Sequence, residues 1–267
     1  MRLQHPWRVL AGLPGSASID AAMCAAILGT DPATYAALRE EIERDAARAA
    51  ADLVADPAFA ERVDGLPFAP GDVVVALGDS LTADLGSWAE ILAHALELRR
   101  GGDGIRLVNA GVSGETTTDV RKRLVAVANE RPAWVLILVG TNDARRHGTT
   151  TAASLVPREE TARNLALIRD FLAERTSARR LWMTPPPVLD VMIAHDRRFQ
   201  FQELAWDDAE LEARTPLAHA LGEPTLDLAP AFGRPCPPEL LLGDGLHPSL
   251  AGQISILRAV THELTTM

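Results

Sequence analysis

The feature that most constrains this chain is the run Val73-Val74-Val75-Ala76-Leu77, closed by Gly78 and followed by a helical stripe. Five consecutive apolar residues without polar alternation describe a strand buried on both faces, which needs cover above and below. The cycle then repeats. From Ser87, residues Trp88, Ile91, Leu92, Ala95 and Leu96 mark a helix, Ile105 to Val108 reads as a second strand and Thr118 to Ala128 as a helix. Trp134 to Val139 is a third strand and Glu159 to Glu174 a helix. Arg180 to Thr184 makes a fourth strand ended by Pro185-Pro186-Pro187, Thr225 to Leu228 a fifth, and Ala251 to Leu264 a closing helix. Strands alternating with helices imply an α/β fold with a parallel sheet covered on both faces. Ligands of such a sheet sit outside the carboxyl ends of its strands, so the polar residues that follow each strand are the candidates for chemistry.

After the first strand, Gly78-Asp79-Ser80-Leu81-Thr82 delivers a serine at or near a helix start. Its hydroxyl is exposed there and its backbone N–H points as an oxyanion requires; the alternative is that Asp79 or Ser80 merely caps the helix. The second strand leads into Asn109-Ala110-Gly111-Val112-Ser113-Gly114-Glu115. Glycines let the backbone approach a ligand closely, so the Gly111 N–H can donate to an oxyanion, although an ordinary strand-to-helix turn reads the same way. The third strand ends in Gly140-Thr141-Asn142-Asp143, where Asn142 offers a side-chain amide to the same oxygen or forms an Asx turn. Near the C-terminus, Gly243-Asp244-Gly245-Leu246-His247-Pro248 sets an aspartate three residues before a histidine. Asp244 can accept the Nδ1 proton and leave Nε2 free to take one from serine, the alternative being a loop or surface role for His247. His147 follows the third turn closely and can line a pocket rim. Three such turns on successive strands favour shared chemistry over unrelated caps.

On these blocks, the segment from about Asp72 to the C-terminus resembles the SGNH hydrolases, also called GDSL esterases and lipases. Gly78-Asp79-Ser80-Leu81 matches the first block, Gly111 in Asn109-Ala110-Gly111 the second, Gly140-Thr141-Asn142-Asp143 the third and Asp244-Gly245-Leu246-His247 the fourth. The resemblance implies a three-layer α/β/α sandwich around a central, mostly parallel, five-stranded sheet of flavodoxin-like kind. It also implies a serine esterase acting on a small-molecule ester through an acyl-enzyme, with Ser80 as nucleophile, His247 as general base and then acid, and Asp244 orienting His247. The oxyanion hole it implies consists of the Ser80 and Gly111 N–H groups and the Asn142 side chain, with neither a metal nor an organic cofactor. Acyl transfer, lysophospholipid cleavage and thioester cleavage are alternatives within the family; a non-catalytic protein of the same fold is a further one. A metallophosphoesterase also uses Gly-Asp and Asn-Asp at strand ends, but it needs more metal ligands, usually including an Asp-x-His pair that this sequence lacks.

Residues 1–70 lie outside the resemblance and read as an N-terminal helical extension. Thr30-Asp31-Pro32 is a helix start. The stripe Tyr35, Leu38, Ile42, Ala46, Ala49 and Leu53 predicts packing on the main domain, a cap over the active site or a docking element for another subunit being the alternatives, and Asp56-Pro57 ends or bends the helix. Leu66 to Asp72, with two prolines and a glycine, reads as the linker into a hydrolase domain over 71–267. Val188 to Pro224, with Phe199, Phe201, Trp206 and many charges, is expected to shape part of the pocket. An aromatic content of only 4% points to small or short-chain esters.

A formal net charge of -10 with scattered basic residues argues against nucleic acid as a partner. Cys24 and Cys236 are far apart and fit a reducing compartment, with a single disulfide left open. Arg2 and Arg8 flank a Val9 to Leu13 run that is too short for a signal-peptide core and is interrupted by Pro14-Gly15. No stretch approaches the ~20 apolar residues that span a bilayer. The expectation is a cytoplasmic protein without stable membrane insertion, its oligomeric state not encoded in these motifs.

Overall fold

The computed structural model describes residues 20–148 and 153–267. Arg2, Arg8 and the 9–15 segment lie outside the described residues. Five strands, β1 (Val73–Gly78), β2 (Arg106–Gly111), β3 (Trp134–Leu138), β4 (Arg179–Met183) and β5 (Thr225–Leu226), form one sheet. Their order is β2-β1-β3-β4-β5 and every pairing is parallel. The chain runs outward from β1 to β2 and then returns to β3, so the direction of winding reverses beside β1, where such sheets bind ligands. Register levels the strand ends there, because Gly78 lies opposite both Gly111 and Leu138.

Helices α1 (Ala21–Ile27), α2 (Pro32–Val54) and α3 (Pro57–Asp64) precede the sheet. Between β1 and β2 come α4 (Ser80–Ala83) and α5 (Trp88–Arg100); between β2 and β3, α6 (Thr117–Arg121) and α7 (Leu124–Asn129). Next, α8 (Arg158–Arg175) joins β3 to β4. The β4-to-β5 connection carries α9 (Asp190–His195), α10 (Arg197–Phe201), α11 (Asp208–Glu212) and α12 (Thr215–His219). The chain closes with α13 (Ala229–Phe232) and α14 (Leu250–Thr266).

Successive strand residues point to opposite faces and so build two cores. On one face Val74, Ala76, Leu136, Leu181 and Met183 pack with Trp88, Ile91 and Leu92 of α5 and Ile256, Leu257 and Val260 of α14. On the other, Val75, Leu77, Val135, Ile137 and Trp182 pack with Val120, Leu124, Leu165, Ile168 and Leu172. The result is the expected layered α/β sandwich, with shifted element edges. The helix expected over Thr118 to Ala128 divides because Arg123 leaves helical geometry and donates to the carbonyls of Ala110 and Gly78. Strand β5 stops at Leu226 because the Asp227 carboxylate accepts from Thr184 Oγ1 and the Ala229 N–H.

The N-terminal helices follow from their capping and their stripe. Asp31 caps α2 by accepting from the Ala33 and Thr34 N–H groups, with Pro32 in the first turn. Tyr35, Ala46, Ala49 and Leu53 are buried, while Leu38 and Ile42 are partly so. Ala46, Ala49, Ala50, Leu53, Phe59 and Val63 enter the same cluster as α5 and α14. The expected linker is pinned: Leu66 and Phe68 are buried, and the Arg100 guanidinium donates to both of their carbonyls. Cys24 and Cys236 are free, buried and in different clusters. Among the described residues no helix is long and apolar enough to cross a membrane.

Truncating a Leu buried in this cluster removes contacts and leaves a cavity. Leu53→Ala is therefore expected to lower the unfolding free energy by about 2–5 kcal/mol. Urea titration followed by circular dichroism measures it; an unchanged midpoint would detach α2 from the core.

Candidate active site

The site forms where three strand ends and the C-terminal loop meet. Asp79 follows β1 and caps α4, its Oδ1 accepting the Leu81 N–H at 2.9 Å, which sets Ser80 as the first helical residue. Ser80 Oγ lies 3.1 Å from His247 Nε2 although the two are 167 residues apart. His247 Nδ1 lies 2.8 Å from Asp244 Oδ2, and Asp244 Oδ1 accepts the backbone N–H groups of His247 and Leu246 at 2.9 and 3.0 Å. Burial pushes the Asp244 carboxyl upward, but the hydrogen bond and electrostatic attraction of the His247 ring, with the two amides, outweigh it and hold the carboxyl well below the usual range. An ionised Asp244 can only accept, so the proton between the two belongs to Nδ1, which leaves the Nε2 lone pair facing Ser80. His247 is thus brought within hydrogen-bonding distance of both Ser80 and Asp244.

Buried Gln253 of α14 ties the serine turn to the helix that follows His247. Its Oε1 accepts the Trp88 N–H at 2.9 Å and its Nε2 donates to the Leu81 carbonyl at 3.2 Å. A second clamp, from Arg123 to the carbonyls of Gly78 and Ala110, includes a 2.6 Å ion pair with Glu115. Burial raises the Glu115 carboxyl, and Arg123 works against that rise.

The two remaining sequence-expected donors are placed differently. Asn142 is buried, and one amide hydrogen goes to the Glu115 carbonyl at 3.0 Å, so its amide has a second hydrogen to give. Its neighbour Asp143 fixes this turn. The Asp143 carboxylate accepts from the Thr117 N–H and hydroxyl and from the Thr161 hydroxyl at 2.6 to 2.7 Å. Burial raises its pKa against the pull of those bonds.

The Gly111 N–H, expected to face an oxyanion, donates to Asn109 Oδ1 at 2.9 Å and in this structure is not open to a ligand. Gly111 serves close packing: a Cβ there would overlap the backbone of Thr82 and Ala83. Asn109 meanwhile donates to the Thr82 carbonyl at 2.7 Å and to Glu90 at 2.8 Å. Gly114, three residues on, has φ +78°, and among the described residues its N–H has no acceptor. The second glycine of the Gly111–Gly114 pair was the available signal, since it falls beyond the strand.

The segment from Val188 to Pro224 reaches the site through a small apolar core. Val188, Ile193, Phe199, Trp206 and Leu211 pack with Ala144 beside Asn142 and with Leu246 beside His247. Trp206 Nε1 donates to the Thr141 carbonyl at 3.1 Å, and the Leu189 N–H to the Gly245 carbonyl at 2.9 Å. Of the three aromatics singled out, Phe199 and Trp206 are buried in this core while Phe201 is 90% exposed. Arg198 on α10 reaches Asp244 Oδ2 at 3.4 Å. His147 is exposed in a short ribbon in which Arg146–His147 pairs antiparallel with Leu204–Ala205, its pKa lowered by burial and by Arg145. Among the described residues no group of three or more His, Cys, Asp or Glu side chains is placed to hold a metal ion.

Several solved structures share this fold. LAE5, an alpha/beta hydrolase enzyme from the metagenome of Lake Arreo, is similar at 23% identity over 74% of this chain and 96% of that one, with a TM-score of 0.59. A catalytic mutant of Axe2, an acetylxylan esterase from Geobacillus stearothermophilus, is similar at 20% identity over 74% and 95%, with a TM-score of 0.58. A lipase/acylhydrolase from Enterococcus faecalis is similar at 24% identity over 73% and 96%, with a TM-score of 0.56. At these identities the likeness concerns the fold. No curated protein matches the chain. Residues 76–253 match the family described as GDSL-like lipase/acylhydrolase, which takes in the serine turn, both following strand ends and the loop of His247. With two thirds of its length so matched, the chain belongs to the GDSL-like lipase/acylhydrolase family and is a carboxylic ester hydrolase.

Proposed function

We propose that this protein is a serine esterase that cleaves small or short-chain esters through an acyl-enzyme on Ser80. The observation that carries the reading is the unbroken relay from Ser80 Oγ to His247 Nε2 at 3.1 Å and from His247 Nδ1 to Asp244 at 2.8 Å. A serine hydroxyl is a poor nucleophile at neutral pH, so His247 takes its proton as Oγ bonds to the ester carbonyl carbon. Asp244 stabilises the imidazolium that results. The tetrahedral intermediate then collapses, its C–O bond breaks, and His247 returns the proton to the departing alkoxide. Water repeats the sequence from the other side and frees the acid.

The carbonyl oxygen gains charge during attack and needs fixed donors. We assign these to the Ser80 N–H, the second amide hydrogen of Asn142 and the Gly114 N–H. Gly114 replaces Gly111 in this assignment because the Gly111 N–H already has an acceptor. The preference for small esters draws support from the burial of Phe199 and Trp206, which leaves them packing the insertion instead of offering apolar wall to a long chain. Residues 71–267 are, in this reading, the hydrolase domain, with the preceding helices as a buttress on α5 and α14.

Hydrolysis of p-nitrophenyl acetate, butyrate, octanoate and palmitate by wild type and Ser80→Ala tests the reading. Turnover is expected to fall off with chain length in the wild type and to drop by roughly 10⁴-fold or more in the variant. Equal rates for both proteins would remove Ser80 from the chemistry. Asp244 adds a pH signature. Its carboxyl is depressed in the folded state, so its stabilisation is present above the ordinary carboxylate pKa and is lost as pH falls through that range toward the folded value. The stability gap between wild type and Asp244→Asn is therefore expected to be wide at pH 7 and to narrow below about pH 4. Urea unfolding at both pH values measures the gap, and one that widens on acidification contradicts the assignment.

A further inference from the structure

Resting on the esterase reading, one side chain beside the candidate oxyanion turn speaks to substrate class. Arg145 follows the Asn142 turn by three residues and is half-buried. One of its terminal nitrogens lies 3.8 Å from where a Cβ on Gly114 would stand, so the guanidinium lies beside Gly114, one residue before the Glu115 carbonyl that Asn142 holds. The guanidinium carbon lies 6.0 Å from the centre of the Trp206 ring, which is held in place by its bond to the Thr141 carbonyl.

A cation withdrawn from water ordinarily has a carboxylate partner, and two other shielded arginines follow that rule. Arg123 pairs with Glu115 at 2.6 Å and Arg214 with Glu210 at 3.0 Å. Arg145 differs. Among the described residues its guanidinium makes no ion pair, while its Nε, like that of Arg214, is shut off from solvent without a hydrogen-bond acceptor. The carboxylates of Asp119 and Asp79 favour its charge only from a distance, while burial works against it. Leaving a guanidinium partly desolvated without an acceptor is costly. Its two terminal nitrogens are not closed off from solvent in this way, so an anionic ligand that reaches them offsets the desolvation of the charge, and the planar fork matches a carboxylate or phosphate through two parallel bonds.

We propose that Arg145 is a substrate-binding residue that selects esters carrying an anionic group close to the scissile bond. The group can belong to the acyl or to the alcohol part of the ester, and two matched pairs separate these sources. On the acyl side, p-nitrophenyl hemiglutarate is compared with p-nitrophenyl valerate; on the alcohol side, 4-carboxyphenyl acetate with its methyl ester. Every rate is taken net of Ser80→Ala. The anionic-to-neutral ratio of kcat/KM is expected to fall in Arg145→Gln by about tenfold or more in one arm, through KM, and to recover in part in Arg145→Lys.

A second measurement needs no variant. The wild-type KM for the preferred anionic ester is expected to rise with added NaCl while that of its neutral counterpart holds steady. Ser80-dependent turnover with the same ratio in wild type and Arg145→Gln in both arms, or with a salt-insensitive KM for both anionic esters, overturns the proposal and leaves the esterase reading standing. Equal rates for wild type and Ser80→Ala on every ester would overturn both.

Discussion

A carboxylate withdrawn from water must be compensated, and the arrangement of this site turns on how Asp244 is. Only 3% of its side chain is exposed, and its charge is met by two backbone amides on one oxygen and the His247 ring on the other. Those bonds leave the imidazole a single useful orientation, with Nε2 toward Ser80. Removing one partner of such a buried pair strands the other, so the loop and the ring hold together as one unit. The rest of the fold aims that unit at the serine.

Three devices do the aiming, and each crosses between elements far apart in sequence. Gln253 links α14 to the Leu81 carbonyl across 172 residues, so the helix that starts just after His247 is tied to the turn that carries Ser80. Asp143 binds the Asn142 turn to α6 and α8 through Thr117 and Thr161. The small core of the β4-to-β5 insertion touches Ala144 on one side and Leu246 on the other, which couples the Asn142 turn to the His247 loop. The insertion is therefore a brace as well as a neighbour of the pocket. Its exposed Arg198 adds a cation beside Asp244, on the oxygen that His247 also uses.

The parts of this design that depend on local pattern were legible in the sequence. Apolar runs announced the strands, Asp31-Pro32 announced α2, and the three-residue spacing of Asp244 and His247 announced their pairing, since a short loop needs no distant contact to bring them together. Ser80 and Asn142 were legible through their place after a strand. Gly111 shows where such reading stops. Strand and turn merge at Asn109-Ala110-Gly111, and only the bond from the Gly111 N–H to the Asn109 side chain reveals that this amide is engaged. Gln253 and Arg123 look like ordinary helix residues until their long-range acceptors are known. The short helices of the insertion carry too few turns for a periodic signal, so its role as a brace could not be read from composition.

The central claim is that Ser80 becomes covalently acylated because His247 takes its proton. Its most direct test is a fluorophosphonate probe, which reacts with an activated serine and leaves a stable adduct that peptide mass spectrometry can locate. The account predicts one adduct, on the peptide carrying Ser80, lost in His247→Ala although the serine is still present. Labelling that lands on another residue, or that persists unchanged without His247, would contradict it.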